Sequence, residues 1–162
     1  MTRPTSLFLV AAVCTGLAAT GASAASDKAF LTKAMQGDNS EMKLGGLAEQ
    51  KGSSAGVRQF GQMLHADHAK AKSDVAPVAR AHGVALSDEM APEAKAEAVK
   101  LDGLSGSAFD REFASYMVDD HRKDIADFQK QAAIGDRSTA SLARAQLPTL
   151  RKHLKTAEQL AR

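Results

Sequence analysis

The sequence predicts an all-α protein built as a single four-helix bundle, and three observations predict it. Past its first two dozen residues the chain is rich in Ala, Lys, Glu, Asp, Gln and Leu and poor in β-branched side chains, and aromatics make up only 4% of it. That composition favours helix almost throughout. Glycines and capping residues then divide the chain into four long helical segments and one short one. Finally, a phrase recurs: Phe60 to His68 and Phe113 to His121 each hold a Phe, a Met and a closing Asp-His pair at the same separation. Each copy is followed by a Lys- and Asp-bearing segment and a helix-stopping glycine, Gly83 and Gly135.

The first residues stand apart. Met1-Thr-Arg3 gives a short positive start, Leu7 to Ala19 an apolar run, and Ala22-Ser23-Ala24 a small-residue cleavage pattern, which together read as a signal peptide over residues 1–24. The bundle domain is then expected over residues 25–162, in the periplasm or secreted. The apolar run falls short of the roughly 20 residues that span a bilayer, so no membrane-spanning segment is expected. The single cysteine, Cys14, lies in the segment to be removed, and Val13 before it is a poor fit to a lipidation signal. Any metal site must therefore use His, carboxylate or Met. A formal net charge of +2 for 162 residues gives no global argument for a nucleic-acid partner.

In chain order, helix 1 is expected to start near Ser26 or Asp27, either of which can cap it, and to stop by Gly52. Helix 2 starts at Ser53 or Ser54 and ends at Gly83. Val84 to Gly106 is a long connection, within which Pro92 suits the first turn of a short helix through about Leu101. Helix 3 starts at Ser107, with Asp110 as a weak capping partner, and ends at Gly135. Helix 4 starts near Asp136 or Ser138 and runs close to the C-terminus. Pro77 and Pro148 fall inside helices and are expected to bend them. Gly37, Gly45 and Gly46 weaken helix 1, in return allowing either a close helix approach or a local distortion near Glu41. The long connection can cross the length of the bundle, which is the ferritin-like variant of the four-helix arrangement.

The apolar seams carry the functional signal. In helix 2, His68 falls within the stripe that includes Val57, Leu64, Ala71 and Val78. In helix 3, His121 lies on the stripe of Ala114, Val118, Ile125 and Phe128. In helix 1 the one charged member of the seam is Glu41, and in helix 4 His153 stands beside the seam of Leu147, Leu150 and Leu154. All four fall near their helix midpoints, so at 1.5 Å per residue they share one layer to within about a turn, whichever way each helix runs.

One Glu and three His in an apolar layer suit one divalent transition metal, zinc or iron foremost, with copper as the alternative that Met42, Met63 and Met117 raise. Asp67 and Asp120 point about 100° away from their neighbouring histidines and are better placed to orient another helix's imidazole, and Asp124 is a further candidate. Against this stands a metal-free reading, in which the Glu and His residues form a buried polar cluster that fixes helix register. His65 and His82 are expected to be solvated or locally hydrogen-bonded, and the basic stripe Arg144, Arg151, Lys155 and Arg162 to be a solvated outer face.

Phe30, the run Gly37-Asp-Asn-Ser-Glu41-Met-Lys-Leu-Gly-Gly-Leu-Ala48, Phe60 to His68, Gly106-Ser-Ala-Phe-Asp110, Phe113 to His121 and Leu147-Pro148 with His153 together resemble the bacterial domain of unknown function 4142 family, from about Lys28 to Leu160. The resemblance implies an exported, ferritin-like helical bundle. A di-iron centre would ask for Glu-x-x-His pairs, whereas this chain has His121-x-x-Asp124 and His65-x-x-His68. The expectation is thus an exported protein that holds one metal ion through Glu41, His68, His121 and His153. The alternative is a non-enzymatic envelope or stress-related interaction protein with a structural polar core. A metal-dependent oxidoreductase is the enzymatic variant, and would need an open coordination position.

Overall fold

The computed structural model describes residues 18–162, with side chains from residue 24 onward. Residues 1–17, which hold most of the expected signal peptide, lie outside the described residues. Five helices and no strand form among the described residues: α1 (Ala18–Lys51), α2 (Ala55–Ala81), α3 (Pro92–Asp102), α4 (Gly106–Ile134) and α5 (Arg137–Leu160). The largest departure from expectation is the start of α1, which lies at Ala18 instead of Ser26 or Asp27. The Ala-rich run before Ser26 continues the helix backward through Gly21. Asp27 is spent on tertiary bonds instead of a cap.

The other boundaries follow local chemistry. Ser54 caps α2 by accepting from Val57 N, and Asp136 caps α5 by accepting from Ser138 N and Thr139 N. Gly83 ends α2 in the left-handed region at φ +67°. Gly135 stops α4 differently, in extended backbone. Pro92 takes the first position of α3, where its missing N–H costs nothing.

The helices pair as two hairpins, α1 along α2 and α4 along α5, which meet through α2–α5 and α1–α4. At one end, the carboxylate of Asp110 at the start of α4 accepts from Ser53 N (2.7 Å) and Ser54 N (2.8 Å) in the α1–α2 turn. At the other end, Asp27 near the start of the described α1 side chains accepts from Thr139 Oγ1 (2.9 Å) on α5 and from Gln131 Nε2 on α4. The segment from α2 to α4 must therefore run the full length of the bundle. It carries α3, which packs on α1 and α4. Asn39 of α1 secures it by donating to Ser87 O (2.8 Å) and Glu89 O (3.0 Å), and Ser40 Oγ accepts from Ala91 N (3.0 Å). This is the ferritin-like four-helix bundle with a long crossover.

Of Gly37, Gly45 and Gly46 in α1, Gly45 accounts for a close approach: a Cβ there would stand 2.6 Å from Gly61 O, and one at Gly61 would stand 2.5 Å from Gly45 O. The α1 and α2 backbones touch at that point, and α1 continues unbroken past Glu41, so the alternative of a local distortion does not occur. Because the obstacle is backbone and not a movable side chain, Gly61→Ala is expected to destabilise the protein by about 3 kcal/mol. A urea titration checks this, and an unchanged midpoint would contradict the contact.

The apolar core is in two parts. One holds Leu44, Phe60, Leu64, Phe109, Phe113 and Met117, and the other holds Leu31, Met35, Val75, Phe128, Leu142 and Leu147. On every long helix the polar core residue falls between the two: Asp38 and Glu41 on α1, His68 on α2, His121 on α4 and His153 on α5. The bundle is thus built around one polar layer.

Candidate metal centre

The layer brings three imidazoles together, two pairs of them edge to face. His68, His121 and His153 are 4%, 0% and 0% exposed, their ring centroids lie 5.3 to 6.1 Å apart, and each offers a nitrogen within 4.8 Å of the others'. The second ring nitrogen of each is tied elsewhere. His121 Nδ1 donates to Met117 O at 2.9 Å, since a carbonyl can only accept. His153 Nε2 donates to Asp67 Oδ2 at 2.9 Å, and His68 Nδ1 to Asp38 Oδ1 at 2.9 Å. These bonds fix the tautomers, so the lone pairs left over are on His68 Nε2, His121 Nε2 and His153 Nδ1. Those three atoms are buried without a hydrogen-bond partner.

Burial, followed by the nearness of His68 and His153, pushes His121 down to about 3. Burial pushes His153 down to about 4, against the pull of its bond to Asp67. Burial also works against ionisation of Asp67, but His153 and Lys152 outweigh it and hold the carboxyl below its usual range. At neutral pH, then, a neutral His153 donates to an ionised Asp67. Imidazoles held neutral, with one nitrogen tied to a carboxylate or carbonyl and the other bare, are what metal ligation asks of histidine.

Glu41 lies beside this trio in a second grouping, with Asp120 and His121, whose ligand atoms are also within 4.8 Å of one another. Its carboxylate is 0% exposed and neither oxygen has a partner. Burial and the adjacent Asp120 carboxyl raise Glu41 well above the ordinary range, and burial raises Asp120 too. Two carboxyls this close must share a proton unless a cation replaces it. The four residues expected from the sequence therefore occupy one layer, with His121 common to both groupings. Glu41 is grouped with His121 and Asp120, not with His68 and His153.

The aspartates divide. Asp67 serves a histidine of another helix, as its direction on α2 implies. Asp120 meets Glu41, and no histidine bond reaches Asp120 or Asp124 among the described residues. Asp38, the partner of His68, was not singled out in the sequence. Its signal was there in the Gly37-to-Glu41 run, because a residue three before Glu41 shares its helix face. The methionines lie in the packing: Met117 is fully buried in the apolar core and Met63 packs against it, so a methionine-ligated copper site finds no support in their placement. His65 is exposed with Nδ1 on Met42 O (3.0 Å), and His82 contacts Ser138 Oγ (3.0 Å) and Asp136 Oδ2 (3.2 Å). A third grouping of Asp27, His82 and Asp136 is already consumed by helix-end bonds to Thr139, Gln131 and Ser138. Arg144, Arg151, Lys155 and Arg162 are all exposed.

The titrations of the histidines and the carboxyls oppose one another. His121 and His153 have folded values of about 3 and about 4 against an ordinary 6.5, so they cost stability in acid and nothing above pH 6.5. Asp124, raised to about 8 by burial and by Asp120, holds its proton in the folded chain where the unfolded chain has lost it, against an ordinary 3.8. Glu41, Asp38 and Asp120 are shifted in the same sense. Their stabilisation is complete below the ordinary carboxylate range and lost as pH rises. Metal-free protein is therefore expected to show a falling thermal midpoint from pH 6.5 to pH 8, and Asp124→Asn to shrink that fall. A midpoint that rises over this interval would contradict the assignment.

The pattern of the family described as "Domain of unknown function (DUF4142)" matches residues 12–160, so the protein defined by this bundle and its polar layer belongs to the DUF4142 family. In structure it is similar to a DUF305 fragment from Deinococcus radiodurans, known from a crystal structure. The TM-score is 0.73 at 17% identity, over 84% of this chain and 95% of that one. At that identity the likeness is one of fold. No curated protein matches the sequence significantly. No helix among the described residues is long and apolar enough to cross a membrane.

Proposed function

We propose that this is an exported bundle that binds one divalent transition metal, zinc or iron before copper, in its polar layer. His68, His121 and His153 would be the ligands, with Glu41 beside them as fourth ligand or charge-compensating neighbour. Two observations carry the proposal: each of the three rings offers a nitrogen within 4.8 Å of the others', and each has one ring nitrogen that is buried and partnerless. Unpaired lone pairs buried in low dielectric cost free energy and gain nothing without a cation. Tetrahedral zinc–imidazole geometry places nitrogens ~3.4 Å apart, so modest ring movement would close the set. Bound there, such an ion would supply Lewis acidity and, for iron or copper, redox capacity.

Asp38, Asp67 and the Met117 carbonyl would orient the rings and raise their basicity. The metal-free polar cluster is less well supported, because a structural network of this kind satisfies its own members, and here Asp38 Oδ2, both Glu41 oxygens and one nitrogen on each histidine are orphaned. Signal-peptide cleavage after Ala24 and a periplasmic or secreted location belong to the same proposal and rest on the sequence of the first residues. Metal analysis of protein purified without an affinity tag tests the binding. About one ion per chain is expected, and a folded chain that takes up none from excess zinc or iron would refute it. Oxygen or peroxide consumption by the iron-loaded form tests for an oxidoreductase.

A further inference from the structure

Next to the polar layer, a cavity of about 670 Å³ opens between the helices. Of the three histidines of the layer only His68 lines it. It is far larger than a bare ion needs and lies in the range of small-molecule sites. Its wall has two characters. Phe30 and Phe128, which pack edge to face at 5.0 Å, form an apolar side with Leu142 and Leu150. Asp38, Asp120 and Asp124 form an acidic side. Three of the four lysines that line the cavity are engaged with other carboxylates, Lys33 with Asp127 (4.0 Å), Lys70 with Asp74 (2.6 Å) and Lys123 with Glu93 (3.0 Å), and the fourth, Lys130, is exposed. No Lys or Arg pairs with Asp38, Asp120 or Asp124 among the described residues. Asp38, 5% exposed, gives one oxygen to His68 and keeps Oδ2 without any partner.

We propose that this cavity is a binding site for a small organic cation, with an ammonium head group on Asp38, Asp120 and Asp124 and an apolar body against Phe30, Phe128, Leu142 and Leu150. The acidic wall offers a carboxylate or phosphate no cationic partner, whereas an ammonium ion can take the place of the protons that these crowded carboxyls hold. A neutral apolar molecule would leave the orphaned Asp38 oxygen unanswered, and a hydrated metal ion has no use for the apolar side. An alkylammonium ion meets both, because its three N–H donors fit carboxylate acceptors and its chain replaces water on the phenyl rings. The site is built from residues outside the histidine trio but borders the proposed metal layer, since Asp38 holds the His68 ring and Asp120 is grouped with Glu41 and His121.

The test is calorimetric titration of the full chain with hexylammonium, hexanoate and methylammonium, on both chelator-treated and zinc-exposed protein, with metal content measured in parallel. Hexylammonium is expected to bind one per chain and at least about tenfold more tightly than either of the others. Asp124→Asn should weaken it at least about tenfold by removing a carboxylate partner. Ala145→Phe, at an exposed lining position, should block entry without disturbing the core, so loss of binding with an unchanged circular dichroism spectrum supports the site. Absence of binding in the wild type, equal binding of hexanoate, or retention in both variants would overturn it. So would loss of a second zinc equivalent in Asp124→Asn with hexylammonium unaffected, which would make the acidic wall an ion site. None of these outcomes bears on whether the histidines hold a metal, which the metal content reports separately.

Discussion

In His121→Ala, zinc is expected to lose its hold on the protein by more than about 100-fold, and to stop raising the thermal midpoint. The expectation rests on the centrality of this ring. His121 stands in both groupings of the polar layer, is 0% exposed and has its tautomer fixed by the Met117 carbonyl. Removing an orienting neighbour of a ligating histidine already costs 10- to 100-fold in affinity as a rule of thumb, roughly, and deleting a ligand exceeds that. Asp67→Ala and Asp38→Ala, which free the rings of His153 and His68, should therefore fall between the wild type and His121→Ala. Thermal melts with and without zinc read the difference, because a ligand that binds only the folded state stabilises it in proportion to the logarithm of its concentration over Kd. Equal zinc shifts in wild type and His121→Ala would sink the ligand assignment.

The second large effect has the opposite sign. Glu41→Met is expected to stabilise the metal-free protein by about 1 to 4 kcal/mol while impairing metal retention. Glu41 is fully buried, its oxygens have no partner, and its nearest charged neighbour is another carboxyl. Methionine of similar volume would pack between the two apolar clusters with no desolvation cost and no repulsion from Asp120. A residue that costs stability at this position has a use there in return, and compensation of a cation is the use that fits. Chemical denaturation in chelator measures the first half of the effect and metal content the second. A Glu41→Met protein less stable than wild type in chelator would point to a structural role for the carboxylate.

Much of this was legible in the sequence because helices translate spacing into position. The seam residues Val57, Leu64 and His68, or Val118 and His121, fixed which side chains turn inward, and midpoint counting put Glu41, His68, His121 and His153 at one level without knowledge of the loops. The crossover followed from the length of the segment between Gly83 and Gly106. The link from Asp67 to His153 followed from the 100° step between adjacent residues.

What stayed hidden depends on distances no periodicity encodes. Asp38 reads as an ordinary polar residue until α2 brings His68 to it. Asp120 points across the bundle as expected, but its target is Glu41, since which helix lies opposite is decided by packing. Asp27 looks like a cap for a helix that starts after the expected cleavage site, but in the full chain α1 begins ahead of it and Asp27 ties together the ends of α4 and α5. The cavity along Phe30 and Phe128 is lined from all five helices, and no spacing within one helix encodes such a gap between several.

The central claim is that three histidines hold one ion, and X-ray absorption on zinc-loaded, untagged protein tests it most directly. One zinc per chain is expected, with the scattering pattern of about three imidazoles at zinc–nitrogen distances of ~2.0–2.1 Å, and that pattern should be lost in His68→Ala. Zinc bound with only oxygen neighbours, or an imidazole pattern that persists in His68→Ala, would contradict it.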